Sequence, residues 1–470
     1  MVWKKKFGTL LIILLPLWVG ILFPFGVKTF SFTQNQELLR LSEERGDESG
    51  QLLALEGLLE VSPWRGDLWQ RVGNYYYSNS RLEEATNAFK QASVLGELDV
   101  EGQLLLADAL ISSRKNEEVF VLLRGIDYSD AEILIRTARL QGAINDTGGT
   151  VQTLQKAFIL SPQDSEVNYL LGVQLLSRQP EIAASHLVIA EKDNKYREYA
   201  AYLRSVYEQY RNLTGSGDWY IFTGQALGRV GEWSAARNSF HAAVEALPTS
   251  GTAWALLGEA QQQTGEDGKA SLDKALQLEP GGELVNGLLG LYYRRQGNNQ
   301  LAIERLAIAA AANPGAVVWH IETANTLAAM GDLDKAAEFY EKTVENDRGD
   351  YSTWHAYARF CITHNYKLDT LGVNAARQAL LLQPQNPVAI DLLGTVYLLL
   401  GDLDSAERLF LQAIDLDNDE AAILIHLGQV YLLRGEKDIA LAYLRQAADS
   451  TGDERLRSIA IDLLRENGAQ

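Results

Sequence analysis

Apolar and polar positions follow a helical period over most of the chain, and the pattern recurs about every 34 residues. In 387–420 the apolar and small positions are spaced three and four residues apart, in two blocks separated by Gly401. The segment 421–454 carries the same residue classes at the same places around Gly435. Such spacing puts each block on one face of a helix, and the glycine accommodates the turn between the blocks. Each period therefore predicts a helical hairpin.

Glycines and prolines keep the same period. Gly394 and Gly428 are 34 residues apart, and Pro248, Pro280 and Pro314 follow one another at steps of 32 and 34. Because proline breaks a helix, prolines confined to one phase of a period mark the boundaries between its units.

These units resemble the tetratricopeptide repeat, whose pattern is W-x2-L-G-x2-Y, a glycine, A-x3-F-x2-A and a final proline. The residues that match it in 66–99 and 217–250 are Trp69, Val72, Gly73, Tyr76, Ala85, Phe89 and Ala92, and then Tyr220, Thr223, Gly224, Gly231, Ala236, Phe240, Ala243 and Pro248. Eight units are clear and four, 32–65, 100–130, 131–164 and 165–195, are degenerate. The resemblance implies an all-α, right-handed superhelical solenoid of about twelve hairpins.

The predicted domain organisation follows the regularity of these units. One unit departs from the period by two inserted residues around 367–369, and residues 196–214 form a tyrosine-rich helix without a partner in phase. The predicted segments are an N-terminus with a membrane anchor at 1–31, a degenerate array at 32–195, a connecting helix at 196–216, a regular array at 217–452, and a capping helix with a tail at 453–470.

The N-terminus predicts one membrane crossing. Lys4, Lys5 and Lys6 precede 21 uncharged residues, 7–27, and a helix of that length spans about 31 Å, enough to cross the hydrocarbon core. An uncleaved anchor is favoured over a cleaved signal peptide, whose apolar core is shorter. The lysines predict a cytoplasmic N-terminus with the repeats outside the cytoplasm. The low disulfide capacity and the simple anchor suit a bacterial envelope protein.

Composition and charge narrow the function classes. The chain has 42 Lys and Arg against 61 Asp and Glu, a net charge of −19, which argues against nucleic-acid binding. Cys361 is the single cysteine, so no intrachain disulfide can form. His355, Cys361 and His364 point in three directions on a straight helix and cannot share a metal. We therefore predict no cofactor, no metal and no catalysis.

The resemblance implies where a partner would bind. In this family the first helix of each repeat lines a concave wall, with places 2, 5, 9, 12 and 13 pointing into it. An amide-rich and guanidinium-rich wall can pair with a peptide backbone or an acidic side chain. The groove candidates are Gln70, Asn74, Tyr77, Gln225, Arg229, Gln262, Arg294, Arg295, Asn325, His355 and Arg359.

The same places are apolar in the last two repeats. If exposed, they form a partner-binding patch; if the terminal helix covers them, they are core. These candidates are Leu398, Leu399, Ile425, Leu432 and Leu433.

The sequence thus predicts a membrane-tethered scaffold that binds a partner protein or peptide. Two alternatives stay open within binding functions. One is a component of envelope assembly, such as secretion, pilus, polysaccharide or cytochrome maturation, and the other is self-association through the apolar C-terminal wall. A fused enzyme is disfavoured because the repeats leave no room for a catalytic domain.

Overall fold

The computed structural model describes residues 31–126, 130–416, 421–450 and 453–468. Within these ranges the chain is helical and has no β-strand, which confirms the all-α prediction. The chain divides into two compact units, an N-terminal unit ending at Ala246 and a C-terminal unit starting at Leu247.

The described part of the N-terminal unit consists of thirteen α-helices. They are α1 at 31–45, α2 Glu48–Val61, α3 Gly66–Ser78, α4 Leu82–Val94, α5 Val100–Ser112, α6 Asn116–Arg124, α7 Ala131–Ala143, α8 Thr147–Leu160, α9 Ser165–Leu175, α10 Pro180–Ala190, α11 Arg197–Tyr210, α12 Gly217–Arg229 and α13 Trp233–Ala246.

The described part of the C-terminal unit also consists of thirteen α-helices. They are α14 Gly251–Gln263, α15 Lys269–Leu278, α16 Glu283–Arg295, α17 Asn299–Ala312, α18 Val317–Ala329, α19 Leu333–Asn346, α20 Tyr351–Thr363, α21 Val373–Leu382, α22 Pro387–Leu400, α23 Leu403–Leu416, α24 Ala421–Arg434, α25 Lys437–Ser450 and α26 Glu454–Glu466.

Consecutive helices pack as hairpins, such as α3 on α4 and α22 on α23. Close packing depends on a glycine on the first helix. A Cβ at Gly73 would lie 2.5 Å from the Phe89 ring, and one at Gly394 would lie 2.5 Å from the Phe410 ring. Both rings are fully buried, so the glycines let an aromatic side chain of the second helix reach the backbone of the first.

Short polar side chains fix where many helices begin. Asp99 accepts a hydrogen bond from the Gly102 amide at 2.8 Å, and Asp164 accepts one from the Val167 amide at 2.9 Å. Ser250 caps α14 through the Ala253 amide at 3.1 Å. These caps satisfy amides that have no partner within the helix.

The two departures from the period have defined structures. Helix α11 packs on α10 and α12 within the N-terminal unit and is followed by a short 3-10 helix at Arg211–Leu213. The inserted residues form a single π-helical turn, Leu368–Gly372, that leads into α21. A π turn absorbs extra residues without breaking a helix, so the insertion leaves the α20–α21 hairpin intact.

Helix α26 packs on α25 and α24 and closes the C-terminal end of the array. Leu456, Leu463 and Leu464 contact a buried cluster that contains Leu424 and Ile425. An open stack of hairpins needs such a cover over its last apolar face.

The membrane prediction is corrected by the structure. Across the residues that the structure describes, no helix is both long and apolar enough to cross a bilayer. The predicted single-pass membrane protein with extracytoplasmic repeats is wrong on this finding. The segment 7–27, on which that prediction rested, lies outside the described residues.

Candidate functional site

The predicted groove residues all lie on first helices of hairpins. Those of the N-terminal unit are Gln70, Asn74 and Tyr77 on α3, and Gln225 and Arg229 on α12; those of the C-terminal unit are Gln262 on α14, Arg294 and Arg295 on α16, Asn325 on α18, and His355 and Arg359 on α20.

In the N-terminal unit, α3 is hydrogen-bonded to the next first helix. Gln70 Oε1 accepts from the Asp99 amide at 2.9 Å, and the Tyr77 hydroxyl donates to Asp108 Oδ2 at 2.5 Å. Burial, aided by the Asp108 carboxylate, raises the pKa of Tyr77 to about 12. Asn74 is exposed. Two of these three side chains therefore hold α3 against α5 instead of facing solvent freely.

The two candidates on α12 differ in their surroundings. Gln225 is exposed, whereas the Arg229 guanidinium lies over the Tyr202 ring, 4.9 Å from its centroid. A cation over an aromatic face is stabilised by the ring quadrupole. Arg229 therefore links α12 to α11.

In the C-terminal unit, Arg295 joins α16 to α14. Its Nη2 donates to Glu259 Oε1 at 2.6 Å and its Nη1 donates to Glu259 Oε2 at 2.9 Å, a bidentate pair. Arg295 Nη1 also donates to Gln262 Oε1 at 2.9 Å. Since Glu259 is buried, this pair supplies hydrogen bonds to both of its carboxylate oxygens.

Arg294 joins the same helix to the following one. Its Nη2 lies 2.9 Å from Glu322 Oε2 on α18. Burial raises the pKa of Glu322, and the positive charges of Arg294 and Arg295 oppose that rise. Consecutive first helices α14, α16 and α18 are thus cross-linked through the two arginines that the sequence predicted as contacts for an acidic partner.

Two further candidates lie beyond this ladder. Asn325 Oδ1 accepts a hydrogen bond from the buried Tyr340 hydroxyl at 2.8 Å. His355 is half-buried, and burial, together with the charge of Arg359, lowers its pKa. Both effects disfavour the protonated form of the His355 ring.

Arg359 differs from the other groove cations. It is exposed, and among the described residues of the C-terminal unit it has no ion pair and no hydrogen bond from its guanidinium. Arg359 is therefore unpaired within the described part of this unit, whereas Arg294 and Arg295 are paired with carboxylates.

The apolar candidates divide into core and surface. Ile425 and Leu398 are 4% and 8% exposed, and Leu432 packs partly buried against the core. Leu399 and Leu433 are 50% and 65% exposed. Helix α26 covers the cluster that holds Ile425, while the two exposed leucines lie near the C-terminal ends of α22 and α24.

One histidine contact resembles a catalytic arrangement but lacks its geometry. His426 Nδ1 lies 2.7 Å from Asp391 Oδ1 and 3.5 Å from Thr395 Oγ1. A proton relay needs the acid and the nucleophile on opposite ring nitrogens, and here both approach the same nitrogen. The pair joins α22 to α24 as a structural link.

Cys361 and the possible metal ligands were the other candidates for chemistry in the described residues. Cys361 is buried, which raises its pKa to about 12, so the reactive thiolate is suppressed. Within the described ranges, no group of three His, Cys, Asp or Glu side chains is arranged to hold a metal ion.

Sequence reasoning missed Glu322 and the Asp391–His426 pair. Both lie outside, or only partly within, the five groove places of the repeat. Opposite charges on neighbouring first helices were the available signal, but using it requires the register between helices, which the sequence does not give directly.

Comparisons with known proteins bear on the class of repeat. A sequence model of the tetratricopeptide repeat matches residues 223–283, 288–351 and 392–454. No curated protein sequence matches the chain.

Solved structures of low sequence identity are also similar. Yeast Tom70 covers 94% of this chain and 96% of its own, at 14% identity and a TM-score of 0.45. The structure of the APC/C hetero-tetramer Cut9-Hcn1 covers 93% and 91%, at 14% identity and a TM-score of 0.40. TTC0263, a thermophilic TPR protein of Thermus thermophilus, covers 39% and 100%, at 23% identity and a TM-score of 0.33. The sequence model thus shows tetratricopeptide repeats in these three stretches of the chain.

Proposed function

We propose that this chain is a protein-interaction scaffold that binds an extended segment of a partner protein along the first helices of its C-terminal unit. Stacked repeats of this kind present long surfaces without needing a catalytic centre. The matched stretches 288–351 and 392–454 lie within this unit.

Arg359 is the observation that carries the proposal. Arg294 and Arg295 are held in pairs with carboxylates, so they stiffen the surface and contribute no open charge. Arg359 lies on the next first helix but one after α16 and is exposed. A guanidinium without a partner gains most from a carboxylate, with which it can form two parallel hydrogen bonds. The partner segment that this surface favours therefore carries an acidic residue.

The exposed leucines extend the same idea. Leu399 and Leu433 lie on the two first helices that follow α20. Exposed apolar side chains beside a polar surface are typical of protein-binding sites. We infer a partner segment in which apolar residues accompany the acidic one.

Photo-crosslinking tests this proposal. A photoreactive residue at His355, next to Arg359, is expected to capture a partner that mass spectrometry identifies. Arg359→Glu is expected to reduce capture about tenfold or more, because it places a like charge opposite the acidic residue.

Arg408→Glu is the matched control. Arg408 is an exposed arginine on the second helix α23, and its reversal is expected to leave capture unchanged. Equal capture by both charge-reversal variants, with unchanged circular dichroism, contradicts the proposed site.

A further inference from the structure

The N-terminal unit has a half-open cavity of about 190 Å³ that is independent of the proposed peptide surface. Its walls come from α7, α8, α9 and the residues at the start of α13. The contribution from α13 is unusual for stacked hairpins, since α13 is far from α8 in sequence. Asn238 Nδ2 on α13 donates to Thr147 Oγ1 on α8 at 2.8 Å, across 91 residues of sequence. The cavity therefore exists only because a later hairpin returns to an earlier one.

The returning hairpin is firmly anchored. Trp219 on α12 is fully buried, and its Nε1 donates to the Ser177 carbonyl at 2.8 Å, just beyond α9. The Tyr207 ring meets Trp219 edge to face, with centroids 6.3 Å apart. A buried tryptophan with a satisfied N–H holds its helix in one position, so the cavity is a fixed feature of the unit.

Two opposite charges line this cavity. Arg139 donates Nε and Nη2 to Glu166 Oε1 at 3.1 and 2.5 Å, which leaves Nη1 without a hydrogen bond among the described residues. Glu232 contributes a carboxyl from the α13 side. Burial raises the pKa of Glu232, against the opposing effects of the Tyr169 hydroxyl and the Arg139 charge. The cation acting on Glu232 is thus already committed to Glu166.

The remaining walls are partly apolar and partly polar. Leu154 and Leu170 provide aliphatic surface, and Gln174 and Ser234 provide hydrogen-bonding groups. A cavity of about 150 Å³ holds a molecule the size of benzene, so this one has room for a small organic ligand. A ligand site typically combines such apolar walls with a few placed polar groups.

We propose that this cavity binds a free α-amino acid, with its ammonium group at Glu232 and its carboxylate at the open Nη1 edge of Arg139. Arg139 pairs with Glu166, so Glu232 has no cation paired directly with it among the described residues. An ammonium group beside Glu232 supplies that positive charge. A carboxylate at Nη1 completes the hydrogen bonding of the guanidinium. A simple amine or a simple carboxylate meets only one of these groups, so each binds more weakly than the zwitterion.

Calorimetric titration of the full chain tests this site. The probes are glycine, L-alanine, L-valine and L-leucine, with n-butylamine and butyrate as single-charge comparisons. At least one amino acid is expected to bind saturably below about 10 mM, and about tenfold or more tightly than either comparison. Glu232→Gln keeps the shape but removes the charge, and it is expected to weaken that binding about tenfold or more.

A second variant fills the cavity without touching its charges. A Cβ at Gly142 meets only the Thr150 hydroxyl, at 3.9 Å, so Gly142→Leu can extend into the space and is expected to abolish binding. Glu60→Gln, at an exposed position on α2, is the matched control and is expected to bind like the unaltered chain. Circular dichroism verifies folding, and Glu232→Gln decides alone if Gly142→Leu does not fold.

Three results overturn the proposal. They are no saturable binding of any of the four amino acids at about 10 mM, equal affinity for butylamine and the amino acids, and unchanged affinity in Glu232→Gln. None of them bears on the peptide surface of the C-terminal unit, because the probes and variants here act on the N-terminal unit.

Discussion

The hairpin turns of the N-terminal unit and those of the C-terminal unit have the same backbone but different residues. In both, most hairpins have a residue with positive φ one or two places after the first helix, whereas the α9–α10 hairpin of the N-terminal unit has none. In the C-terminal unit this residue is usually glycine, with φ of 79°, 74°, 82°, 79° and 80° at Gly265, Gly297, Gly331, Gly401 and Gly435. In the N-terminal unit it is Ser80, Arg114 or Asn145 at three hairpins, with φ of 57°, 56° and 67°, and Gly46 or Gly231 at two others.

This comparison teaches that a degenerate sequence need not mean a degenerate fold. The left-handed conformation costs a non-glycine residue about 1–2 kcal/mol, so the packing of the two helices must outweigh that cost at Ser80 and Arg114. Where the turn residue is not glycine, the backbone is locally strained, but the hairpin still forms. The regular array avoids this strain at most of its turns.

The cross-links between first helices differ in the same way. In the N-terminal unit, Arg136 and Glu101 join α7 to α5 with the Glu101 side chain 52% exposed. In the C-terminal unit, the carboxylates of Glu259 and Glu322 are only 11% and 19% exposed. The two carboxylates that link first helices in the C-terminal unit are therefore more buried than Glu101 in the N-terminal unit.

The largest expected effect comes from the repeat between Pro248 and Pro280, which is two residues shorter than the usual 34. A Cβ at Gly268 would lie 2.0 Å from the Gly258 carbonyl oxygen. Because the obstacle is a backbone atom, Gly268→Ala must separate α14 from α15. We expect this to lower the free energy of unfolding by about 3 kcal/mol. Hydrogen exchange resolved to peptides of α14 and α15 measures this loss.

Gly281→Ala is the control for that substitution. A Cβ there meets nothing within 4 Å. The opening free energy measured by hydrogen exchange is therefore expected to stay within about 0.5 kcal/mol of that of the unaltered chain. Equal protection in both variants would show that the short repeat is not held by close backbone contact.

A smaller loss is expected where the regular array uses glycine for its turn. Gly401 has φ of 79° and open space around it, so Gly401→Ala introduces strain without a clash and costs about 1 kcal/mol. The midpoint of urea unfolding of the C-terminal unit measures it. An unchanged midpoint would mean that the turn can relax. The glycine turns would then make no difference to the stability of the two arrays.

The converse substitution is expected to stabilise the degenerate array slightly. Arg114→Gly removes the left-handed strain but adds flexibility to the unfolded chain. The net increase in the free energy of unfolding is expected to be about 0.5 kcal/mol. Arg114→Ala is the matched control, since it removes the same side chain but keeps the Cβ. Peptide-resolved hydrogen exchange of α5 and α6 compares them, and a glycine variant no more protected than the alanine variant contradicts the strain at Arg114.

Much of the fold could be predicted from the sequence, because helical spacing and periodic glycines act locally. The hairpins, the insertion at 367–369 and the covering helix α26 are examples. Helix α13 meeting α7 could not be predicted, since it depends on small rotations accumulated over several hairpins. The same holds for the amino-acid cavity, whose charges Arg139 and Glu232 are far apart in sequence.

The candidate site was only partly predictable for a related reason. Repeat places identify which residues lie on first helices, but not which charges meet across them. Arg294 and Arg295 satisfied the expected pattern as well as Arg359 did, yet only Arg359 is open. Likewise, Leu398 and Leu399 are adjacent in sequence, and one is 8% and the other 50% exposed.

The smallest expected effect tests whether buried charges distinguish the regular array. Burial raises the pKa of Glu322 above its ordinary value of 4.5, so the folded state holds this proton more tightly than the unfolded state. Its contribution to stability is therefore fully present below the unfolded pKa and is lost as pH rises through the folded pKa. Glu322→Gln cannot titrate, so we expect its urea midpoint to fall less than that of the unaltered chain between about pH 4 and pH 7.

Glu101→Gln, at the exposed pair of the N-terminal unit, is the control and is expected to follow the unaltered chain, because exposed ion pairs contribute little. If the gap between Glu322→Gln and the unaltered chain is the same at both pH values, Glu322 does not titrate abnormally, and the two arrays do not differ in how they hold charge.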